Sequence, residues 1–168
     1  MIFEWLEQTW LSVWVREAPT LWAFPFVLFL HTLGLGVVGG VGIAMNIWAL
    51  GLAHRKPVAP MKPFFAFVWH GFALALISGV LLLIAYPTKA LTDPVFFLKM
   101  ALLAAALIQL VWLRRRLFVA ADPTRRADAQ IRVSAAVAIA CWLGVVLTGR
   151  LLAYTHVYLT AADWLAGS

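Results

Sequence analysis

Read from the N-terminus, apolar residues first recur with a helical period and then run on with little polar relief. Over residues 2–17, Phe3, Leu6, Trp10, Val13 and Trp14 fall on one stripe and Glu4, Gln8, Ser12 and Arg16 on another. That alternation predicts an amphipathic helix, and its three tryptophans suit a membrane interface. The segment lacks a basic start and carries Glu4 and Glu7, so it does not read as a signal peptide. Four long apolar stretches follow, at about residues 20–53, 63–86, 94–118 and 129–158, each long enough to cross a ~30 Å hydrocarbon core as a helix. Pro19 opens the first, Pro87 closes the second, and Asp93-Pro94 is a helix-start signal for the third. As one straight helix the first stretch would reach roughly 50 Å, so it is expected to tilt, protrude or bend near Pro25.

Composition turns that pattern into a fold class. Hydrophobic residues make up 64% of the chain, charged residues only 12%, and mean hydropathy is +0.94, against about 25% charged residues in a typical soluble domain. The solvent for this surface is lipid. The expected architecture is all-α: an integral membrane four-helix bundle (residues 19–160) with an N-terminal amphipathic interfacial helix (1–18) and a short interfacial tail (161–168).

The net charge of +6 does not point to nucleic acid, because the basic residues are placed as in a membrane protein. Nine of the thirteen lie in or beside two loops: Arg55, Lys56 and Lys62, then Arg114, Arg115, Arg116, Arg125, Arg126 and Arg132. By the positive-inside rule both loops are cytoplasmic and both termini periplasmic, in a bacterial inner membrane. Cys141 is the single cysteine and lies in an apolar run, so it forms no internal disulfide and no CxxC metal site.

Depths along the spans sort the polar residues into two layers. Measured from the loop ends, His31 and Arg150 lie roughly 33 Å up and Lys99 about 29 Å up. His156 is about two turns above Arg150, and Tyr86 and Tyr154 join this outer layer. His70 and Met45 lie only about 12 Å up, and Gln109 about 13 Å, with Asn46 and Trp69 beside them. On the first span His31, Gly34, Leu35, Val38, Gly42 and Met45 share one stripe. The glycine run around it, with Gly36 and Gly40 as a GxxxG pair, would let a helix or a flat ligand approach the backbone.

An ionisable side chain inside a membrane needs a partner, a ligand or water. The spans carry no Asp or Glu away from their ends, so Arg150 suggests an anionic cofactor, a lipid phosphate or a partner subunit. Haem b is the sharpest expectation, since helix bundles hold it through axial His and occasionally Met. His31 and His156 would then serve an outer haem, with Arg150 and Lys99 on its propionates and Gly34, Gly42 and Tyr154 lining it. His70, with Met45 as a weaker ligand, would serve an inner one. Against this, each histidine also suits a neutral hydrogen bond between helices. His54 reads as a loop residue and Met45 as core. A carboxylate-driven transporter lacks its carboxylate, Ser78 lacks a nearby base for hydrolysis, and the methionines form no copper cluster.

The segments FPFVLFLHTLGLGVVGG, DPVFFLKMALLAAA and LGVVLTGRLLAY resemble a family of uncharacterised bacterial four-helix membrane proteins. That family shows aromatic-Pro then His-x-x-Gly in the first helix, Asn/Asp-Pro-x-Phe-x-x-Lys at the start of the third, and a Gly-Arg-Leu/Ile-x-Ala-Tyr-like end to the fourth. The layout is also distantly similar to CopD-like and protoporphyrinogen-oxidase-like (HemJ) membrane proteins, implicated in copper or haem chemistry. The resemblance spans about residues 20–155 and singles out His31, Lys99, Gly149 and Arg150; His70 and His156 lie outside its pattern. The leading expectation is a b-haem electron-transfer subunit, exchanging electrons with membrane or periplasmic redox subunits and with quinone. A cofactor-free anchor or assembly subunit and a haem-linked membrane oxidase stand as alternatives, and a redox subunit is favoured over a stand-alone enzyme.

Overall fold

In lipid, backbone polar groups must be satisfied within the chain, and a helix does this segment by segment. The apolar stretches carry no proline beyond the first turn of the helices they form, so nothing interrupts that ladder. The computed structural model describes residues 7–51, 63–118 and 129–166, with side chains through Leu152 on the last helix. Six helices account for nearly all of these: α1 (Trp10–Glu17), α2 (Phe24–Ala49), α3 (Phe64–Ala85), α4 (Pro87–Thr92), α5 (Pro94–Phe118) and α6 (Ala129–Ala166). Four of them, α2, α3, α5 and α6, are long and apolar enough to cross a membrane. The expected all-α four-helix architecture is the one observed.

Helix ends are set by local chemistry. Pro25 sits in the first turn of α2, where a missing N–H costs nothing, so the first span starts late instead of bending at Pro25. It stops where Gly51 takes φ 95°, a left-handed conformation that glycine adopts without penalty. Its 26 residues make about 39 Å of helix, shorter than the sequence suggests. Asp93 caps α5 as expected, its Oδ1 accepting the Val95 N–H at 2.8 Å. Two boundaries differ from expectation. The connection before Asp93 is itself a helical turn, α4, set off from α3 at Tyr86 (φ −136°, ψ 58°). The fourth helix runs on to Ala166, so the expected tail at 161–168 begins as helix.

The spans pack as two antiparallel hairpins, α2 with α3 and α5 with α6, joined along α2 and α6. Read across the molecule the order is α3, α2, α6, α5, and the flanking helices α3 and α5 are not a closely packed pair. Gly34 lets α2 lie directly on α3, since a Cβ there would stand 2.6 Å from Ala75 N and 2.7 Å from Gly71 O. Gly42 does the same at the joining seam, where a Cβ would meet the Trp142 indole at 2.6 Å.

The main apolar core lies toward the end from which residues 52–62 and 119–128 extend, here called the basic end. Met45, Trp48, Phe65, Leu110, Leu113, Ile131 and Trp142 belong to it. Toward the opposite, terminal end α5 contributes less. No residue of α5 from Pro94 to Ala105 is buried, whereas Ala106, Leu110 and Leu113 are. The N-terminal helix packs on α3, but not through its tryptophan stripe. Ser12 and Val15 face inward, and Trp10 and Trp14 are exposed. Glu7 helps fix this end: its Oε1 accepts from Thr88 Oγ1 at 2.7 Å, and its carbonyl accepts from Arg16 Nη2 at 3.4 Å.

Candidate functional site

His31 projects from α2 toward α3 at the terminal end. Its Nδ1 lies 2.9 Å from the Ala75 carbonyl oxygen. A carbonyl only accepts, so Nδ1 carries the proton and Nε2 keeps its lone pair. Ser78 Oγ lies 3.4 Å from the same nitrogen and donates to Leu74 O at 2.6 Å. The ring can come this close because residue 79 is glycine: a Cβ there would be 3.0 Å from His31 Cε1. The sequence reading placed no base near Ser78; the imidazole is in fact its neighbour. The serine is still no activated nucleophile, since its proton goes to a backbone carbonyl and Nδ1 of the imidazole is itself protonated.

Lys99 on α5 completes this region. Its Cε lies 3.9 Å from where a Cβ on Gly149 would be, and like His31 on α2 it stands in the first turns of its helix at the terminal end. The depth estimates put His31, Lys99 and Arg150 at one level, and Lys99 here reaches toward Gly149, the chain neighbour of Arg150. Arg150 is on the same helix as Gly149, exposed, and engaged with another group of the chain. Its lack of a carboxylate partner within the spans is thus no argument for a cofactor. Tyr154 and His156 fall on the helical part of α6, but their side chains lie outside the described residues.

The inner layer is assembled differently from expectation. Met45 is fully buried in the core, while His70 is exposed on α3, its Nδ1–H donating to Ala66 O one turn back at 2.8 Å. The two are not brought together, because α3 turns Val68 and Gly71 inward and carries His70 away. Gly34 and Gly42, expected to leave room for a flat ligand, are filled by the α3 backbone and the Trp142 indole. The polar centre of this layer is amide chemistry. Gln109 Nε2 donates to Asn46 Oδ1 at 2.8 Å, and Asn46 Nδ2 donates to Gly42 O at 2.8 Å. Gln109 Oε1 and Trp142 Nε1 are buried without a hydrogen-bond partner. Among the described residues no three His, Cys, Asp or Glu side chains gather into a metal-holding group.

Sequence reasoning missed Ser78, Gly79 and Trp142 as participants. A signal for the first two was present: Gly71, Ala75, Ser78 and Gly79 form a run of small residues at helical spacing, the mark of a helix face that another helix approaches closely.

A histidine-bearing face between antiparallel apolar helices, with a lysine at the same depth, defines the chain as an all-α multi-pass membrane protein with a polar centre toward one end of its bundle. Residues 2–155 match the family of unknown function DUF6644, and the chain belongs to that family. Comparisons with curated proteins and with solved structures give no match.

Proposed function

We propose that the chain is a b-haem-binding electron-transfer subunit of a bacterial inner-membrane redox complex, with its haem at the terminal end of the bundle. The observation that carries this reading is the fixed tautomer of His31. Metal-binding histidines characteristically donate their other ring N–H to a carbonyl or carboxylate, which sets ring orientation and leaves a lone pair for the metal. His31 does this through Nδ1 and Ala75 O, in the half of the bundle where α5 packs most loosely. Lys99 offers a cation for one propionate there, and Arg150 on α6 would offer a second. His156, six residues beyond Arg150, is the candidate second axial ligand.

Haem bound at this site would supply a one-electron couple. The chain's own residues hold the ring of His31 against α3, keep a cation at the same depth, and exclude water with the surrounding apolar helices. The bilayer is the medium, a membrane or periplasmic redox protein the partner, and quinone a further electron carrier. The basic loops support an orientation with both termini periplasmic.

The test is a reduced-minus-oxidised visible spectrum of the detergent-purified protein, with a pyridine haemochrome assay for stoichiometry. A sharp alpha band and about one haem per chain are expected, and both should vanish in folded His31→Ala. A featureless spectrum from folded wild-type protein rejects haem.

One observation favours a second reading, a cofactor-free anchor or assembly subunit. The His31–Ala75 bond already serves as a cross-link between α2 and α3, as a structural histidine would. Turnover with an added electron donor would instead identify a haem-linked membrane oxidase.

A further inference from the structure

The flanking helices α3 and α5 leave an apolar groove between them at the basic end. Its walls are Phe65, Val68 and Trp69 on α3 and Leu107 and Val111 on α5, and Arg114 stands at its mouth. The Arg114 guanidinium lies 5.6 Å from the centroid of the Phe65 ring, a cation–π contact that holds it over the groove. The next residues, Arg115 and Arg116, continue the charge, and Arg116 is likewise stacked, 5.2 Å from the Trp112 ring. Residues 114–132 carry six arginines against Asp122 and Asp128.

A greasy slot ending in arginine matches the two ends of one molecule. From this charge complementarity we infer that the groove holds an anionic phospholipid, one acyl chain lying between α3 and α5 and the phosphate on Arg114. A zwitterionic lipid offers the same chain but no net charge, and each basic residue near the surface favours an anionic headgroup by about fivefold. A transmembrane helix is too wide, since helices pack 8–10 Å axis to axis and the groove is only a narrow cleft between two side-chain walls. This site is at the opposite end from His31 and does not depend on the haem reading.

Native mass spectrometry of the full-length protein, with phosphatidylglycerol or phosphatidylcholine of identical chains, tests the inference. Phosphatidylglycerol should be retained at least about fivefold better, and Arg114→Gln should remove that preference. Arg132→Gln, which takes an exposed charge from α6 at the same end, should lower it far less than Arg114→Gln does. Val111→Phe, which fills the groove and keeps every charge, should also lower phosphatidylglycerol retention; should that variant not fold, the two arginine variants decide. Equal retention of the two lipids overturns the inference. So does equal loss in Arg114→Gln and Arg132→Gln, which would mean diffuse attraction. A dimer that forms on delipidation with no headgroup preference would assign the groove to a second copy and overturn it as well.

Discussion

The two ends of the bundle solve the same problem in opposite ways. At the basic end all four spanning helices contribute buried side chains, Trp142 wedges against Gly42, and polarity is confined to the Asn46–Gln109 amide pair. At the terminal end α5 contributes nothing fully buried over its first twelve residues, and the polar groups are a histidine held by a backbone carbonyl and a lysine. Dense packing and a buried amide hydrogen bond give stability and register. Loose packing around ionisable groups sacrifices stability and leaves room for chemistry. The comparison assigns stability to the basic end and, on the proposal above, chemistry to the terminal end, and it can be broken at several points.

The largest effect is expected from Gly42→Leu. Its Cβ would meet the Trp142 ring at under 3 Å, and overpacking of this kind costs toward the top of the ~1–3 kcal/mol range, or more where a helix must move. Loss of the monodisperse species on heating in detergent would report it. Leu113→Ala should cost about 2–4 kcal/mol as a core cavity, whereas Phe97→Ala, on the loosely packed stretch of α5, should stay within about 0.5 kcal/mol. Equal losses from those two would erase the contrast between the ends. His31→Ala should lower stability by only about 1 kcal/mol, the net worth of one hydrogen bond, and on the haem proposal it should also remove the haem absorption. A smaller test concerns the amide pair. Gln109→Leu should destabilise by about 1 kcal/mol because it strands Asn46 Oδ1, and the double variant Asn46→Leu/Gln109→Leu should recover much of that loss. Smallest of all, Gly36→Ala should be silent, since a Cβ there meets nothing within 4 Å.

The order of these effects follows from what hydropathy does and does not encode. Four spans, the Asp93 cap and the depth of each polar residue were legible because they depend on chain length and local chemistry. Depth alone put Asn46 and Gln109 in one layer, where a hydrogen bond joins them, and His31 and Lys99 in the other. Direction around the helix axis was harder. The apolar moment of a span in lipid carries little information, because both the inward and the outward face are apolar. His70 was therefore given an inward role that its position on α3 denies it, and of the two occupants read for the stripe from Gly34 to Gly42, a helix or a flat ligand, the packing shows the helix at Gly34 and an indole at Gly42. The N-terminal helix shows the other side of this: Trp10 and Trp14 are exposed, as suits an interface, and the small Ser12 and Val15 are what approach α3.

The order of the helices across the molecule has a further consequence. Because each hairpin is formed by neighbours in the chain and the two meet along α2 and α6, the protein is divisible. Each hairpin can enter the bilayer as a unit and find the other afterwards, in the manner of a two-stage assembly. A break between Tyr86 and Asp93 would leave two fragments, each with a complete pair of spans. Co-expressed, they should reassociate through the Gly42–Trp142 contact and the Asn46–Gln109 hydrogen bond, so the covalent connection between the halves is a convenience of synthesis and not a condition of the fold.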